Sequence, residues 1–242
     1  MVSRLLPVLI TLLALLPATT LAAPPAPAPL VEGEDYVVIP DGKPFAPAKG
    51  KIEVVEVFGY TCIHCAHLEP TLAAWKKKLP RDVQLTPVPA AFGGYWIPYA
   101  RAFYAAQQLG VQERTHQAVF DALHKTGNLP IQSASAEEIA GFYASQGVDR
   151  AKFLAALRGP EVDAQLARAR DWVTAAGVEG TPTIIVNGKY RVTGGGNYSD
   201  RLKIADRLVA RARGRKWRSR HGGRWGGHAE CDVPGPAGTF FL

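Results

Sequence analysis

The chain is short of several things. Among its 242 residues only three are cysteine and one is methionine, and charged residues make up 20%. Three cysteines cannot staple a chain of this length, so a disulfide scaffold is excluded. Long apolar runs are also missing. The one stretch of note, Leu5 to Leu16, contains Pro7, precedes Pro17 and falls short of the roughly 20 residues that span a bilayer. The formal charge is +7, but the excess is uneven: residues 213–242 hold six of the 28 Lys and Arg against two of the 21 acids. The body is therefore close to neutral, which argues against a basic nucleic-acid face. Apolar residues are not scarce: at 47% they can build a real core, and they exclude disorder throughout.

Arg4, the apolar stretch and the small-residue end Thr20-Leu21-Ala22-Ala23 have the layout of a secretory signal. The expectation is a signal peptide over 1–22, and a mature protein that works outside the cytoplasm, where disulfides persist. Residues 23–50 form a Pro/Ala-rich linker and N-terminal segment, opening with a stiff, extended Pro24-Pro25-Ala26-Pro27-Ala28-Pro29.

Ile52 to Phe58 is a nearly continuous β-branched run and predicts a buried strand. A helix follows from about Cys62 to Leu79, with Leu68, Leu72, Trp75 and Leu79 at helical spacing and Pro80 ending it. Val83 to Val88 predicts a second strand, its pairing limited by Pro87 and Pro89. Residues 97–176 are helical in pattern. Ser135-Ala136-Glu137-Glu138 is a capping box, Asp149 caps a short helix, and Val162, Leu166, Ala169 and Val173 give an apolar stripe. Thr183 to Val186 and Lys189 to Thr193 predict a hairpin turning at Asn187-Gly188, and a last helix begins at Ser199 or Asp200. The order β-α-β, helical block, β-β-α defines an α/β fold: one mixed sheet with helices on its faces and a helical insertion. The divisions are 51–96, 97–176, 177–212, and a basic Gly/Arg-rich tail at 213–242.

Cys62-Ile63-His64-Cys65 stands just after the first strand, where a helix opens. The free N–H groups and positive dipole end there favour an anion, so a thiolate is stabilised and its pKa falls. Cys62 is nearer the helix end and is the expected nucleophile. Cys65 lies one turn inside, within reach of a mixed disulfide on Cys62. His64 can donate to the Cys62 sulfur or place positive charge beside it. A Cys-x-x-Cys pair is also half a zinc site, with His64 and His67 nearby, but a structural site wants a second ligand pair and only distant Cys231 remains. No metal is expected.

Thr181-Pro182 heads a strand. A proline there cannot donate to the ladder, and a cis bond would free the preceding backbone to pair with an extended substrate. From its residues alone Pro182 is an ordinary strand-start proline, since cis is the minority form. Glu56 interrupts the buried run six residues before Cys62 and is a candidate proton acceptor for Cys65. Glu53, nearer the strand end, is expected to be solvated.

These segments resemble the DsbA family of periplasmic thiol:disulfide oxidoreductases over roughly residues 34–212. The resemblance is carried by Glu56-Val57-Phe58-Gly59-Tyr60-Thr61-Cys62-Ile63-His64-Cys65, by Lys76-Lys77-Lys78-Leu79-Pro80 and by Gly180 to Tyr190. It implies a thioredoxin fold with an inserted helical domain. It implies Cys62 as the reactive cysteine, Cys65 as the resolving one, Pro182 as a cis-proline facing them and Glu56 as the buried acid. Thr181, Pro182 and Ile63 are the expected substrate-binding residues. No cofactor is implied beyond the Cys62–Cys65 disulfide. The implied partners are reduced, unfolded exported proteins and a DsbB-type membrane quinone reductase. The chain departs from the family at three positions. Ile63-His64 replaces the usual Pro-His, Thr181 stands where the best-known members carry valine, and Pro87 replaces a lysine that partners the buried acid in some members. Thr181 and Ile63 motivate the alternative of a reductase or isomerase. Isomerases of this kind carry a dimerisation domain, and residues 24–50 are too short for one, so a monomer is expected. A non-enzymatic metal- or peptide-binding module is the other alternative. The tail beyond Arg213 lies outside the resemblance, and its composition fits an unstructured extension or the product of a frame error.

Overall fold

Every residue from Ile52 to Phe58 is buried, because this run of branched and aromatic side chains forms a strand covered on both faces. The structure, a computed structural model, describes residues 28–221. The expected signal peptide, most of the proline linker and the stretch beyond 221 with Cys231 lie outside the described residues. In chain order the elements are β1 (Tyr36–Val38), β2 (Ile52–Phe58), α1 (Ile63–Lys76), β3 (Val83–Pro89), α2 (Trp96–Gln108), α3 (Gln112–His124), α4 (Ala136–Ser145), α5 (Arg150–Leu157), α6 (Pro160–Ala175), β4 (Thr183–Val186), β5 (Tyr190–Val192) and α7 (Tyr198–His221). The strands form one sheet in the order β1-β5-β4-β2-β3. Only β2 and β3 run parallel, joined through α1, and the other neighbours are antiparallel.

This is the expected thioredoxin fold with α2 to α6 inserted. Two apolar clusters hold it together. Ile52, Val54, Ile184 and Val186 pack with Leu68 and Leu72 of α1 and with Leu202, Leu208 and Val209 of α7. Val55 and Val57 face the other way and join Phe103, Phe120, Tyr143 and Phe153 of the insertion. From Ile52 to Val57 the two clusters use alternate residues of β2, as a period of two requires, and Phe58 at the strand's end joins the insertion's cluster.

The local expectations fare well where a capping or turn residue acts alone. Ser135 and Glu138 make the reciprocal capping box at α4, and Asp149 accepts from the Lys152 N–H at α5. Asn187 and Gly188 both have positive φ, +54° and +66°, at the centre of the turn that the Lys189 N–H closes onto the Val186 carbonyl, although the register Val186–Tyr190 leaves three residues in the connection and β5 begins one residue later than expected. The prolines of β3 are accommodated because β3 is an edge strand.

Four details differ. Segment 36–38, placed in the N-terminal stretch without a strand, pairs with β5 as β1. Helix α1 ends at Lys76 rather than Leu79 and accommodates Pro70, which has no N–H to give the preceding turn. Helix α7 is capped by Asn197, whose Oδ1 accepts from the Asp200 N–H at 2.9 Å, and it continues past Ala212 to His221. Arg213 forks onto both oxygens of Asp82 at 2.6 and 2.7 Å, which extends the helix's attachment beyond the boundary drawn there. Finally, Glu53 is buried, not solvated. Segment 45–46 folds back over the start of β2, and the carboxylate accepts from the N–H groups of Phe45 (2.6 Å) and Ala46 (2.9 Å) and from the Thr86 hydroxyl (2.7 Å). Three donors offset the loss of water.

Candidate active site

The junction between β2 and α1 sets the site. A Cβ at Gly59 would run into the Trp96 ring, so glycine lets the chain pass beneath α2 without displacing that ring. The Cys62 N–H then closes a turn onto the Gly59 carbonyl at 3.0 Å, and Cys62 becomes the N-cap of α1. Its sulfur faces the first N–H groups of α1, close enough for them to favour its charge but short of full hydrogen-bond geometry. It also faces the segment ahead of β4. Cys62 Sγ lies 3.5 Å from the Thr181 carbonyl oxygen, to which the thiol donates. The Thr181–Pro182 peptide is cis, so the minority form expected from the family resemblance prevails over the ordinary trans reading of the residues.

Burial divides the two cysteines. Both are free thiols: Cys62 is half-buried and Cys65 is fully buried. Hydrogen bonds hold the Cys62 thiol down from 9.0 to about 5. The Cys65 side chain contributes most, ahead of the Thr181 side chain and the backbone N–H groups of Cys65 and His64, while partial burial works against them. Cys65 moves the opposite way. Burial raises its thiol far above the ordinary range, helped by the hydrogen bond to Cys62 and by the nearby Glu56 charge. Such opposed environments mark a site where one sulfur is an anion and the other a held acid.

The remaining candidates fall around this pair. Ile63 is exposed, with 42% of its surface accessible, beside the half-buried Cys62. His64 is exposed, and what it gives the sulfur is its backbone N–H rather than the imidazole. Glu56 is buried under the pair, and burial raises its carboxyl well above the carboxylate range, with the charges of Glu69 and Cys62 adding to the effect. Its Oε1 has no hydrogen-bond partner among the described residues. Its neighbours in register are Pro87 and Ile184, neither of which offers a cation. A groove of about 890 Å³ lined by Glu56, Glu69, Thr86, Pro87 and His116 connects this carboxyl to the surface. Among the described residues no cluster of His, Cys, Asp and Glu is arranged to hold a metal.

Sequence reasoning missed Glu69, His116, His124 and Trp96. Each lies far along the chain from Cys62 or on the inner side of a helix, and only packing brings it to the junction. The one available signal was His116, Phe120 and His124 recurring at four-residue spacing, which places two imidazoles on one apolar helix face.

The family model for the DSBA-like thioredoxin domain matches residues 82–203, and the chain belongs to that family. It is a thiol:disulfide oxidoreductase. Among its relatives, the thiol:disulfide interchange protein DsbA of Azotobacter vinelandii is 40% identical over 190 residues, covering 78% of this chain and 87% of the relative. The DsbA of Pseudomonas aeruginosa is 40% identical over 183 residues, covering 75% and 85%. The solved structure of the oxidoreductase DsbA from Xylella fastidiosa superposes with a TM-score of 0.74 at 52% identity, covering 76% of this chain and 98% of that one.

Proposed function

We propose that the protein is a periplasmic disulfide oxidase that donates its Cys62–Cys65 disulfide to newly exported proteins. A substrate thiolate attacks Cys62 Sγ of the disulfide. The bond between the two enzyme sulfurs breaks, a mixed disulfide forms at Cys62, and Cys65 leaves and takes a proton. The substrate's second thiolate then attacks its own sulfur in the mixed disulfide. Cys62 leaves as a thiolate, the substrate departs with a disulfide, and two electrons remain on the enzyme as a dithiol. Attack by Cys65 on the mixed disulfide runs the first step backward. The protein acts as a monomer without a separate cofactor, and a DsbB-like membrane quinone reductase reoxidises it.

The observation that carries this reading is the seat of Cys62: its sulfur stands at the N-terminus of α1 against Thr181, with its thiol held near 5. A low-pKa sulfur is the better leaving group, and stabilising the thiolate stabilises the dithiol, which makes the disulfide oxidising. The DsbA proteins are commonly used to illustrate that relation. A Cys65 thiol raised by burial resists ionising, which slows the backward attack and favours release of oxidised substrate. When Cys65 does leave, Glu56 is the buried acid at hand to supply or pass its proton, and the groove carries that proton outward. Exposed Ile63 and the backbone beside cis-Pro182 offer an apolar contact and a pairing edge to an extended chain.

The test is a glutathione redox titration beside oxidation of a reduced two-cysteine peptide. The expected result is an oxidising potential with fast peptide oxidation, both abolished by Cys62→Ser. A reducing potential like that of thioredoxin would assign the protein to the reductase side of the family.

A further inference from the structure

We propose that His124 and His116 of α3 are positioning residues that clamp Tyr60 and so hold the turn carrying Cys62 in register with α1 and Thr181. The proposal rests on the reading that Cys62 is the reactive cysteine.

Tyr60 lies inside the turn that the Cys62 N–H closes onto Gly59, and it is 1% exposed. Its carbonyl belongs to neither the sheet nor a helix, so burial makes a donor obligatory. That donor is His124: Nε2 lies 2.7 Å from the Tyr60 oxygen. A carbonyl has no proton to give, so Nε2 carries one, and both the neutral Nε2–H tautomer and the imidazolium satisfy this. The side chain of the same residue is held as well. Tyr60 Oη is 2.8 Å from His116 Nδ1. On the other side of the imidazole, His116 Nε2 faces Glu69 Oε2 at 3.5 Å. Phe120 sits between the two histidines on α3, with its ring centroid 5.1 Å from that of Tyr60. Three residues at four-residue spacing thus grip one residue by its main chain, its ring and its hydroxyl.

The turn is where such a grip matters. The hydrogen bonds that lower the Cys62 thiol come from His64, Cys65 and Thr181. The first two follow the turn into α1, and Thr181 follows α6 at the far end of the insertion. Hydrogen bonds weaken steeply as distance and angle drift. If the turn tilts, the sulfur leaves those partners together. Helix α3 belongs to the insertion, so the clamp fixes the insertion to the turn at one end while Thr181 meets the sulfur at the other. The clamp couples the inserted helices to the thiolate with no contact between α3 and the sulfur.

The experiment compares the full protein with His124→Phe, which keeps a ring but loses the donor, and His124→Gln, which restores an N–H of similar reach. Thiolate ultraviolet absorbance against pH and the glutathione equilibrium constant are read for each. His124→Phe is expected to raise the thiolate midpoint by half a unit or more and to make the disulfide at least threefold less oxidising, with His124→Gln returning both toward the parent. Unchanged values in His124→Phe, or a Gln variant shifted as far as the Phe variant, would overturn the clamp. Should His124→Phe fail to fold, Tyr60→Phe removes the hydroxyl alone. An upward shift of the midpoint then supports the clamp, and no shift overturns it. The parent's own values separate the two readings. A parent with an ordinary thiol midpoint defeats the oxidase reading, whereas a low parent midpoint untouched by these substitutions defeats only the clamp.

Discussion

At the scale of single residues, the chemistry depends on charge held in places that treat two cysteines differently. Cys62 is half-buried and hydrogen-bonded as an anion, and its absorbance titration is expected to show a midpoint near 5. A midpoint near that of a free thiol would remove the N-terminus of α1 from the mechanism. Glu56 is the opposite case. Its folded pKa is raised, so the native state binds a proton more tightly than the unfolded chain, and stability falls as pH rises above the ordinary value of 4.5. Glu56→Gln is therefore expected to stabilise the protein at pH 7 and to have little effect at pH 4. The gain is capped at about 3 kcal/mol, since each unit between 4.5 and 7 is worth about 1.36 kcal/mol. Denaturant melts at the two pH values measure this. The same variant is expected to slow peptide oxidation, because the buried acid that serves Cys65 is gone.

Elements are fixed by features that act locally, and these were legible in the sequence. The capping box at α4 is complete: Ser135 N donates to Glu138 Oε2 at 2.8 Å and Glu138 N donates to Ser135 Oγ at 3.2 Å. Ser135→Ala is expected to cost about 1 kcal/mol in denaturant melts with the thiolate midpoint unchanged. At the hairpin, Gly188 has a φ of +66° and its missing Cβ leaves room for the backbone of Lys43. Gly188→Ala is expected to cost more than the ~1 kcal/mol of the left-handed conformation alone, because backbone cannot step aside as a side chain can. Element ends were less legible. The apolar spacing ran α1 on to Leu79, past its end at Lys76, and the extension of α7 is held by Arg213 finding Asp82, a contact across 131 positions of the chain.

For the whole molecule, redox state and stability are linked through Cys62. Its pKa is lowered only in the folded dithiol form, so the thiolate stabilises that form at neutral pH. The contribution falls away as pH drops through about 5. The folded disulfide form has no such group. The melting temperature of the reduced protein relative to the oxidised protein is therefore expected to fall between pH 7 and pH 4. A difference independent of pH would contradict the low thiol pKa. The insertion and the sheet share one core through Val55, Val57 and Phe58, so both parts are expected to melt together.

Sequence alone determined the order of elements, the interior strand, the two helix caps, the hairpin turn and the position of the Cys-x-x-Cys pair at a helix start. Each follows from spacing within about ten residues, where chain connectivity already dictates which groups meet. Tertiary structure decided what connectivity leaves open. Glu53 looked solvated until segment 45–46 covered it, Pro182 took the cis form, and His116, His124 and Thr181 converged on the junction from helices and loops more than 50 residues away. A scarcity of cysteine excluded a disulfide scaffold at the outset. The different fates of Cys62 and Cys65 came from burial and hydrogen bonding, which exist only once distant segments have packed.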